Sequence, residues 1–302
     1  MKVERIEIAE AGRLAEAYNA LVVADGVPHC WAVTEEEFAA GLVNRPDDVK
    51  PGEWLHSDAL FACTEAGRVT AYSHVALGEI DVEGARNSGG HIRFLAYERG
   101  CRAAGAAVLT ESERHLTDSG AERLWACEPG TGSHFYHLGF GGLSDRAGNV
   151  YGLLGRQGYE AQHGEIFMRM PVIDVEVPEP PAGAEVVIEE DSRRGELPGV
   201  ETRAMVDGKK IGECGIRSAG EYVNAADAQR TCFVLWLGVE DEWQGKGLGR
   251  VLLMKALEHA KELGYRSASI STDWRNFRAL TFYTNYGFRV TDTLYALAKK
   301  AE

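Results

Sequence analysis

Residues 233–258 read Phe-Val-Leu-Trp-Leu-Gly-Val-Glu-Asp-Glu-Trp-Gln-Gly-Lys-Gly-Leu-Gly-Arg-Val-Leu-Leu-Met-Lys-Ala-Leu-Glu. A β-rich apolar run, Phe233 to Val239, feeds the glycine turn Gln244-Gly245-Lys246-Gly247-Leu248-Gly249, and a long amphipathic helix begins immediately after it. That order aims the backbone N–H groups of the turn and the positive end of a helix dipole at one point, which is a place to hold phosphate. Gly247 and Gly249 let the backbone approach an anion with no Cβ in the way. The N–H groups from Gln244 to Gly249 form an anion nest, and Lys246 and Arg250 add charge at its rim. Two better-known phosphate motifs do not fit. A Walker loop needs Ser or Thr after its Gly-Lys, where Gly247 stands, and the third glycine of a dinucleotide-binding turn falls on Arg250.

Outward from this stretch, the chain repeats itself. Laying Arg99-Gly100-Cys101-Arg102-Ala103-Ala104 over residues 244–249 puts a strand before and a helix after in both copies. Gly158-Tyr159 matches Gly287-Phe288 in the same way, and the first copy is longer between these landmarks by about the length of the glycine-rich loop 130–145. The proline-bearing segment 171–183 carries no periodicity and reads as a linker, which places a domain boundary near 172: a first domain of residues 1–172 and a second of 173–302. In the first copy the pattern predicts strands over 3–8, 59–64, 69–77, 91–96, 122–127 and 165–170. It predicts helices over 11–23, from Thr34 to before Asn44-Arg45-Pro46, and over 102–117 and 147–157, with a turn at Asn87-Ser88-Gly89-Gly90. Thr34 with Glu37 makes a capping box. In the second copy it predicts strands over 185–189, 201–206, 210–217, 232–239, 267–272 and 288–297, and helices over 248–263 and 276–285. The polar stretch 191–199 stands where the first copy has two helices.

Bulk properties narrow the partners. The formal charge of −14 disfavours nucleic-acid phosphate and anionic lipid and hints at a cationic amine partner. No apolar run reaches the ~18–20 residues of a membrane span, and the polar start Met-Lys-Val-Glu-Arg-Ile-Glu-Ile carries no secretory core, so a cytoplasmic location is expected. Cys30, Cys63, Cys101, Cys127, Cys214 and Cys232 form no CxxC pair and none has a histidine at metal-ligand spacing, so no metal is expected.

The Gln-x-x-Gly-x-Gly of Gln244, Gly247 and Gly249 resembles the signature of the GCN5-related N-acetyltransferase (GNAT) family. The resemblance extends to the acidic turn Glu240-Asp241-Glu242-Trp243 and to Asn276-Phe277-Arg278-Ala279-Leu280-Thr281-Phe282-Tyr283-Thr284-Asn285-Tyr286-Gly287-Phe288, which is similar to the family's Asn-x-x-Ala-x-x-x-Tyr-x-x-x-Gly-Phe. It implies an α+β (α/β) fold of two tandem GNAT-like domains, each a mixed, largely antiparallel sheet flanked by helices. It also implies acetyl transfer from acetyl-CoA to a primary amine of a small molecule or peptide, by direct attack and without a metal. Leu237, Gly238 and Val239 then lie along the pantetheine arm, and Gln244, Gly245, Lys246, Gly247, Leu248, Gly249 and Arg250 cradle the pyrophosphate. Asn276 serves as a helix cap or a cofactor contact. Tyr283 matches the family's general acid, and a free phenol and a thiol differ by only about 1.5 pKa units. The general base stays open among Glu213, Glu240 and, more weakly, Asp273, since Cys232 to Gly238 carries no ionisable group but the thiol.

In the first copy Arg102 aligns with Gly247, Ala147 with Asn276 and Leu154 with Tyr283, so little or no acetyl-CoA binding is expected there. Tandem members such as mycothiol synthases are similar in length, and Asp292-Thr293-Leu294-Tyr295-Ala296-Leu297 resembles their end, although the strand carboxylate expected of them falls near Phe233. The reading from a different class is a non-catalytic acyl-CoA-binding or regulatory protein.

Overall fold

A computed structural model describes residues 2–43, 56–82, 85–172, 175–192 and 195–301. The chain divides into two compact units, Met1–Ile166 together with Asp292–Glu302, and Phe167–Thr291.

The first unit opens with β1 (Val3–Ile6). A helical run follows, built of a 3-10 turn (Ile8–Leu14), α1 (Ala15–Tyr18) and a π turn (Asn19–Val23), and α2 (Glu35–Val43) comes next. Thr34 caps α2 as its sequence predicts: Glu37 N–H donates to Thr34 Oγ1 at 3.2 Å and Thr34 N–H to Glu37 Oε2 at 2.9 Å. The expected stop at Asn44-Arg45-Pro46 lies outside the described residues. The sheet elements are β2 (His56–Glu65), β3 (Arg68–Val82), β4 (Ala85–Tyr97), β5 (Arg123–Ala126), β6 (Leu143–Ser144) and β7 (Glu160–Pro171). α3 (Arg102–Asp118) and α4 (Gly148–Arg156) lie between them in sequence. The strand order is β1-β2-β3-β4-β5, with β5 and β6 each pairing the C-terminal strand introduced below. All these pairs are antiparallel except β4 with β5, the signature of a crossover through α3. Ile92, Leu95, Val108, Leu109, Leu116 and Leu124 are buried in the core that α3 makes with the sheet. The opposite face is closed by rings from α1, α2 and the loop after β5: Tyr18, Phe38, Tyr72, Phe94 and Phe135 meet at centroid distances of 4.9–6.4 Å.

Asn87-Ser88-Gly89-Gly90 is not the turn its composition predicts. It runs inside β4. The two glycines answer a packing demand: a Cβ on Gly89 would stand 2.4 Å from the Arg123 carbonyl oxygen, and one on Gly90 would stand 2.8 Å from Leu116 Cβ. Parallel approach of β5 and α3 requires bare backbone there.

The second unit takes β7 at its edge from Phe167 on, followed by β8 (Glu185–Asp191), β9 (Gly199–Val206) and β10 (Lys209–Ser218). α5 (Ala226–Gln229), β11 (Thr231–Val239), α6 (Leu248–Leu263), β12 (Ser267–Asp273), α7 (Phe277–Asn285) and the start of β13 (Arg289–Lys300) complete it. The order is β7-β12-β11-β10-β9-β8, with β11 and β12 parallel and the β8–β11 pairs antiparallel. The sheets of both units are therefore mixed and largely antiparallel, as expected. α6 packs on β9, β10 and β11 through Val251, Leu252, Met254, Leu257 and Ala260. It stops at Gly264, whose φ of +104° suits glycine alone. Residues 192–198 form no helix among those described.

From Asp292 onward β13 folds with the first unit, which ties the chain's end into a buried polar knot. The Asp292 carboxylate accepts from His137 Nε2 at 2.8 Å, from Ser144 Oγ at 2.7 Å and from Thr293 N–H at 2.9 Å. His137 Nδ1 lies 3.4 Å from Cys30 Sγ. Burial alone would neutralise His137, but Cys30 and Asp292 outweigh it and hold the imidazole protonated up to about pH 9. Burial likewise opposes charge on Asp292, and His137 and Ser144 overcome it, so the carboxyl stays below its ordinary range. A histidine raised from ~6.5 stabilises the fold fully below that pH and loses the contribution as pH rises through the folded value. Urea unfolding should show stability falling by on the order of 3 kcal/mol between about pH 6.5 and 9.5. Asp292→Asn should abolish most of that slope, and an unchanged slope would refute the assignment.

Candidate functional site

The site begins where a ladder stops. β11 pairs β12 in parallel from Thr231↔Ser267 to Val234↔Ile270. Beyond that point no backbone pair joins Leu235–Val239 to Ser271–Asp273 among the described residues. The cause is a bulge: Gly215 faces Trp236 while Ile216 faces Val234, so Leu235 is extra and the strand bends away from β12. Leu237, Gly238 and Val239 stay paired with β10 on one side and offer an unpaired main-chain edge on the other.

The edge runs into the glycine turn. Gly245 and Gly247 take φ of +75° and +86°, a conformation other residues avoid. Gly249 differs: it lies inside α6, and a Cβ there would meet Phe282 and Val239 at an ordinary 3.8 Å. The peptide N–H groups from Gly245 to Arg250 have no acceptor among the described residues. They stand at the N-terminus of a 16-residue helix, so the turn concentrates positive potential with nothing of its own to satisfy it. Gln244 braces the turn rather than facing outward: its Nε2 donates to Val239 O at 3.0 Å and its Oε1 accepts from Arg278 at 2.7 Å. Lys246 lies 4.9 Å over the Trp243 ring and Arg250 5.2 Å over Tyr286, which leaves both cations at the turn's margin.

α7 brings Tyr283 to the same face of the sheet. Phe282 beside it touches the Gly249 position, and Tyr283 is buried to 8 % exposure against Phe282 and Phe288. Burial first, and the nearby Cys214 second, push its phenol up to about 12. The gap to a thiol near 8.5 is therefore about 3.5 units, wider than the ~1.5 read from unperturbed values. Asn276 is a helix cap: its Oδ1 accepts from Ala279 N–H at 3.0 Å.

The candidate bases separate. Glu213 faces Gly238 across the β10–β11 ladder, on the sheet face opposite Cys214 and Thr202, which pack under α6. Its carboxylate holds the Lys210 ammonium and lines an open depression of about 520 Å³ with Glu189, Glu201 and Arg203. Glu240 is exposed at the strand's end. Asp273 is engaged in its own turn, accepting from Arg275 N–H at 2.7 Å. Sequence reading passed over Trp236, which the ladder places on Glu213's face, folded over Gly238 and 60 % exposed. A tryptophan in a predicted strand carries no signal of exposure; the sequence pointed only to the polar stretch 191–199 standing where the first copy has two helices.

The first unit repeats the frame with different contents. Its parallel ladder ends at Ile92↔Ala126, and the bulged residue is Arg93, buried and bonded to Thr131 O, Leu42 O and Asp58. A cavity of about 260 Å³ borders Phe94 to Arg99, Cys127, Tyr136 and Asn149. Matching helix start to helix start puts the cap Cys101, not Arg102, on Gly247, and Cys101 has φ −94° rather than a left-handed turn. The one-residue difference arises because the sequence match aligned glycines whereas the cap follows the helix. Ala147 and Leu154 do stand at the positions of Asn276 and Tyr283 in the nine-residue helices α4 and α7.

Among the described residues no helix is long and apolar enough to cross a membrane, and no cluster of three His, Cys, Asp or Glu could hold a metal. Residues 165–288 match the profile of the acetyltransferase (GNAT) family. A mycothiol acetyltransferase of Propionibacterium freudenreichii is 40 % identical over 67 residues, 22 % of this chain and 22 % of that protein. The chain thus spans about a fifth of the length of the mycothiol acetyltransferases it matches. An uncharacterised N-acetyltransferase of Bacillus subtilis is 33 % identical over 84 residues, 26 % of this chain and 54 % of that protein. A solved tandem GNAT protein from the clavulanic acid biosynthesis pathway covers 100 % of this chain and 99 % of its own, with a TM-score of 0.70 and 14 % identity, a likeness of fold.

Gly247→Ala tests the turn. The space around a Cβ is open, so only the left-handed backbone is strained, and thermal unfolding should show a loss of about 1–2 kcal/mol. Gly249→Ala should be neutral within about 0.5 kcal/mol, because its site is helical and roomy.

Proposed function

We propose that this chain, residues 165–288 of which match the acetyltransferase (GNAT) family model, is a member of that family and that its second unit transfers an acetyl group from acetyl-CoA to a primary amine. The observation that carries the reading is the unpaired edge Leu237–Val239 running into a turn of unsatisfied N–H groups. The amides of a pantetheine arm complete such an edge as an added strand, and a pyrophosphate satisfies such a turn. Leu248 and Gly249 then contribute helix-start N–H groups, and Lys246 and Arg250 contribute charge at the margin.

In this reading the neutral amine attacks the thioester carbonyl directly, the C–N bond forms, and the C–S bond breaks as thiolate leaves. Tyr283, protonated at every physiological pH, donates a hydrogen bond to the sulfur as charge develops there and gives up its proton late. The Trp236 indole offers a cationic amine a face to rest on, with the carboxylates of Glu213 and Glu240 on hand to receive its proton. The first unit keeps the splayed strands but lacks the left-handed glycine cap and the tyrosine, so turnover is assigned to the second unit.

One observation favours the other class, an acyl-CoA-binding regulator without turnover: Glu213 is already paired with Lys210. Free-thiol release from acetyl-CoA over a panel of amines, including the acceptor of mycothiol acetyltransferases, separates the two. Amine-dependent release is expected; binding of acetyl-CoA with no release from any amine would favour the regulator. Tyr283→Phe should lower kcat about 10²-fold with little change in the KM for acetyl-CoA. Trp236→Ala should raise the amine KM about tenfold and leave that for acetyl-CoA unchanged.

A further inference from the structure

The first unit buries a thiol in surroundings unlike those of the other cysteines. Cys30 sits in the loop between the π turn and α2, a loop pinned by Asn19, whose side chain exchanges two hydrogen bonds with the backbone of Val33. Its Sγ lies 3.4 Å from His137 Nδ1, and His137 Nε2 is fixed on Asp292 at 2.8 Å. The order thiol, imidazole, carboxylate is one that stabilises negative charge on sulfur. By contrast, Cys127 and Cys232 face no such partner, and burial pushes both thiols up to about 12.

A second observation points to something that arrives at the sulfur. The hydroxyls of Tyr18 and Tyr72 are fully buried; that of Tyr18 interacts with the Cys30 sulfur, and that of Tyr72 has no hydrogen-bond partner among the described residues. Both lie close enough to Cys30 that its charge, after burial, is the next influence raising their phenols. A buried O–H donor left without an acceptor near that sulfur is costly unless an acceptor enters. With Cys30 only 8 % exposed, that acceptor is small. We propose that Cys30 is a peroxide-reactive modification site, at which hydrogen peroxide converts the thiol to a sulfenic acid whose oxygen accepts from the Tyr72 hydroxyl.

The step balances. The Cys30 sulfur, as thiolate, attacks one peroxide oxygen; the S–O bond forms and the O–O bond breaks. Sulfur loses two electrons and peroxide gains them. The departing hydroxide takes the Nδ1 proton of the His137 imidazolium and leaves as water, and Asp292 keeps the neutral ring in place. A low-molecular-weight thiol then condenses with the sulfenic acid to a mixed disulfide and water, and a second such thiol releases the Cys30 thiol, the two leaving as their disulfide.

The test uses the full-length reduced protein, sub-millimolar hydrogen peroxide and a dimedone-type probe of sulfenic acid, with peptide mapping of all six cysteines. Cys30 should be labelled at least about tenfold faster than Cys63 and Cys127, which are also buried, and the difference should vanish in denaturant. His137→Gln, checked by circular dichroism for retained fold, should slow Cys30 labelling about tenfold and leave the exposed-side Cys101 unaffected. Labelling of Cys30 no faster than that of Cys63 and Cys127 in the wild-type protein would overturn the proposal, whether or not the variant folds.

Discussion

The parallel ladder between β11 and β12 ends at Val234↔Ile270, and from that break follow the edge, the turn and the placement of Tyr283. A buried main-chain group needs a partner, and pairing normally continues until the strands end. Here a single inserted residue, Leu235, shifts the register against β10 and bends β11 away from its neighbour. β10 still holds the strand, yet its other edge runs unpaired beside the N–H groups of the glycine turn, which have no acceptor among the described residues. The protein thus keeps a linear row of donors and acceptors on a scaffold stiff enough to hold them in register.

The same break in the first unit has been filled from within. The bulged residue there is Arg93, whose guanidinium binds two carbonyls and a carboxylate, and rings of Tyr18, Phe38, Tyr72, Phe94 and Phe135 close the adjoining face. In the second unit the corresponding residues, Leu235 and Trp236, are exposed, and the described residues between β8 and β9 form no helix. Two copies of one frame have diverged by what occupies the bulge. The first has become a packed core with a deep polar knot; the second has kept an open face.

That knot also determines how the chain is tied together. Asp292, on β13, is the carboxylate that His137 and Ser144 require, and Leu297 to Lys300 pair with β5. A first unit cut at residue 172 loses the partner of a buried imidazolium as well as a central sheet neighbour. Removing one member of a buried charged pair costs several kcal/mol, comparable to the whole stability of a domain.

Much of this was legible in the chain itself. Alternation and turn residues marked the strands, Thr34 and Glu37 marked the start of α2, and the two motifs at 244–249 and 276–288 pointed to the family whose model matches residues 165–288, because local backbone geometry depends on residues a few places apart. Sequence by itself also located the duplication, and placed Leu154 where the second copy has Tyr283. What it did not carry was anything fixed by residues distant in sequence. Gly89 and Gly90 read as a turn because the close approach of Arg123 and Leu116 is invisible along the chain. The exposure of Trp236, the bulge at Leu235 and the Cys30–His137–Asp292 contact, which spans more than two hundred residues, were decided only when the strands paired and side chains far apart were packed into one unit.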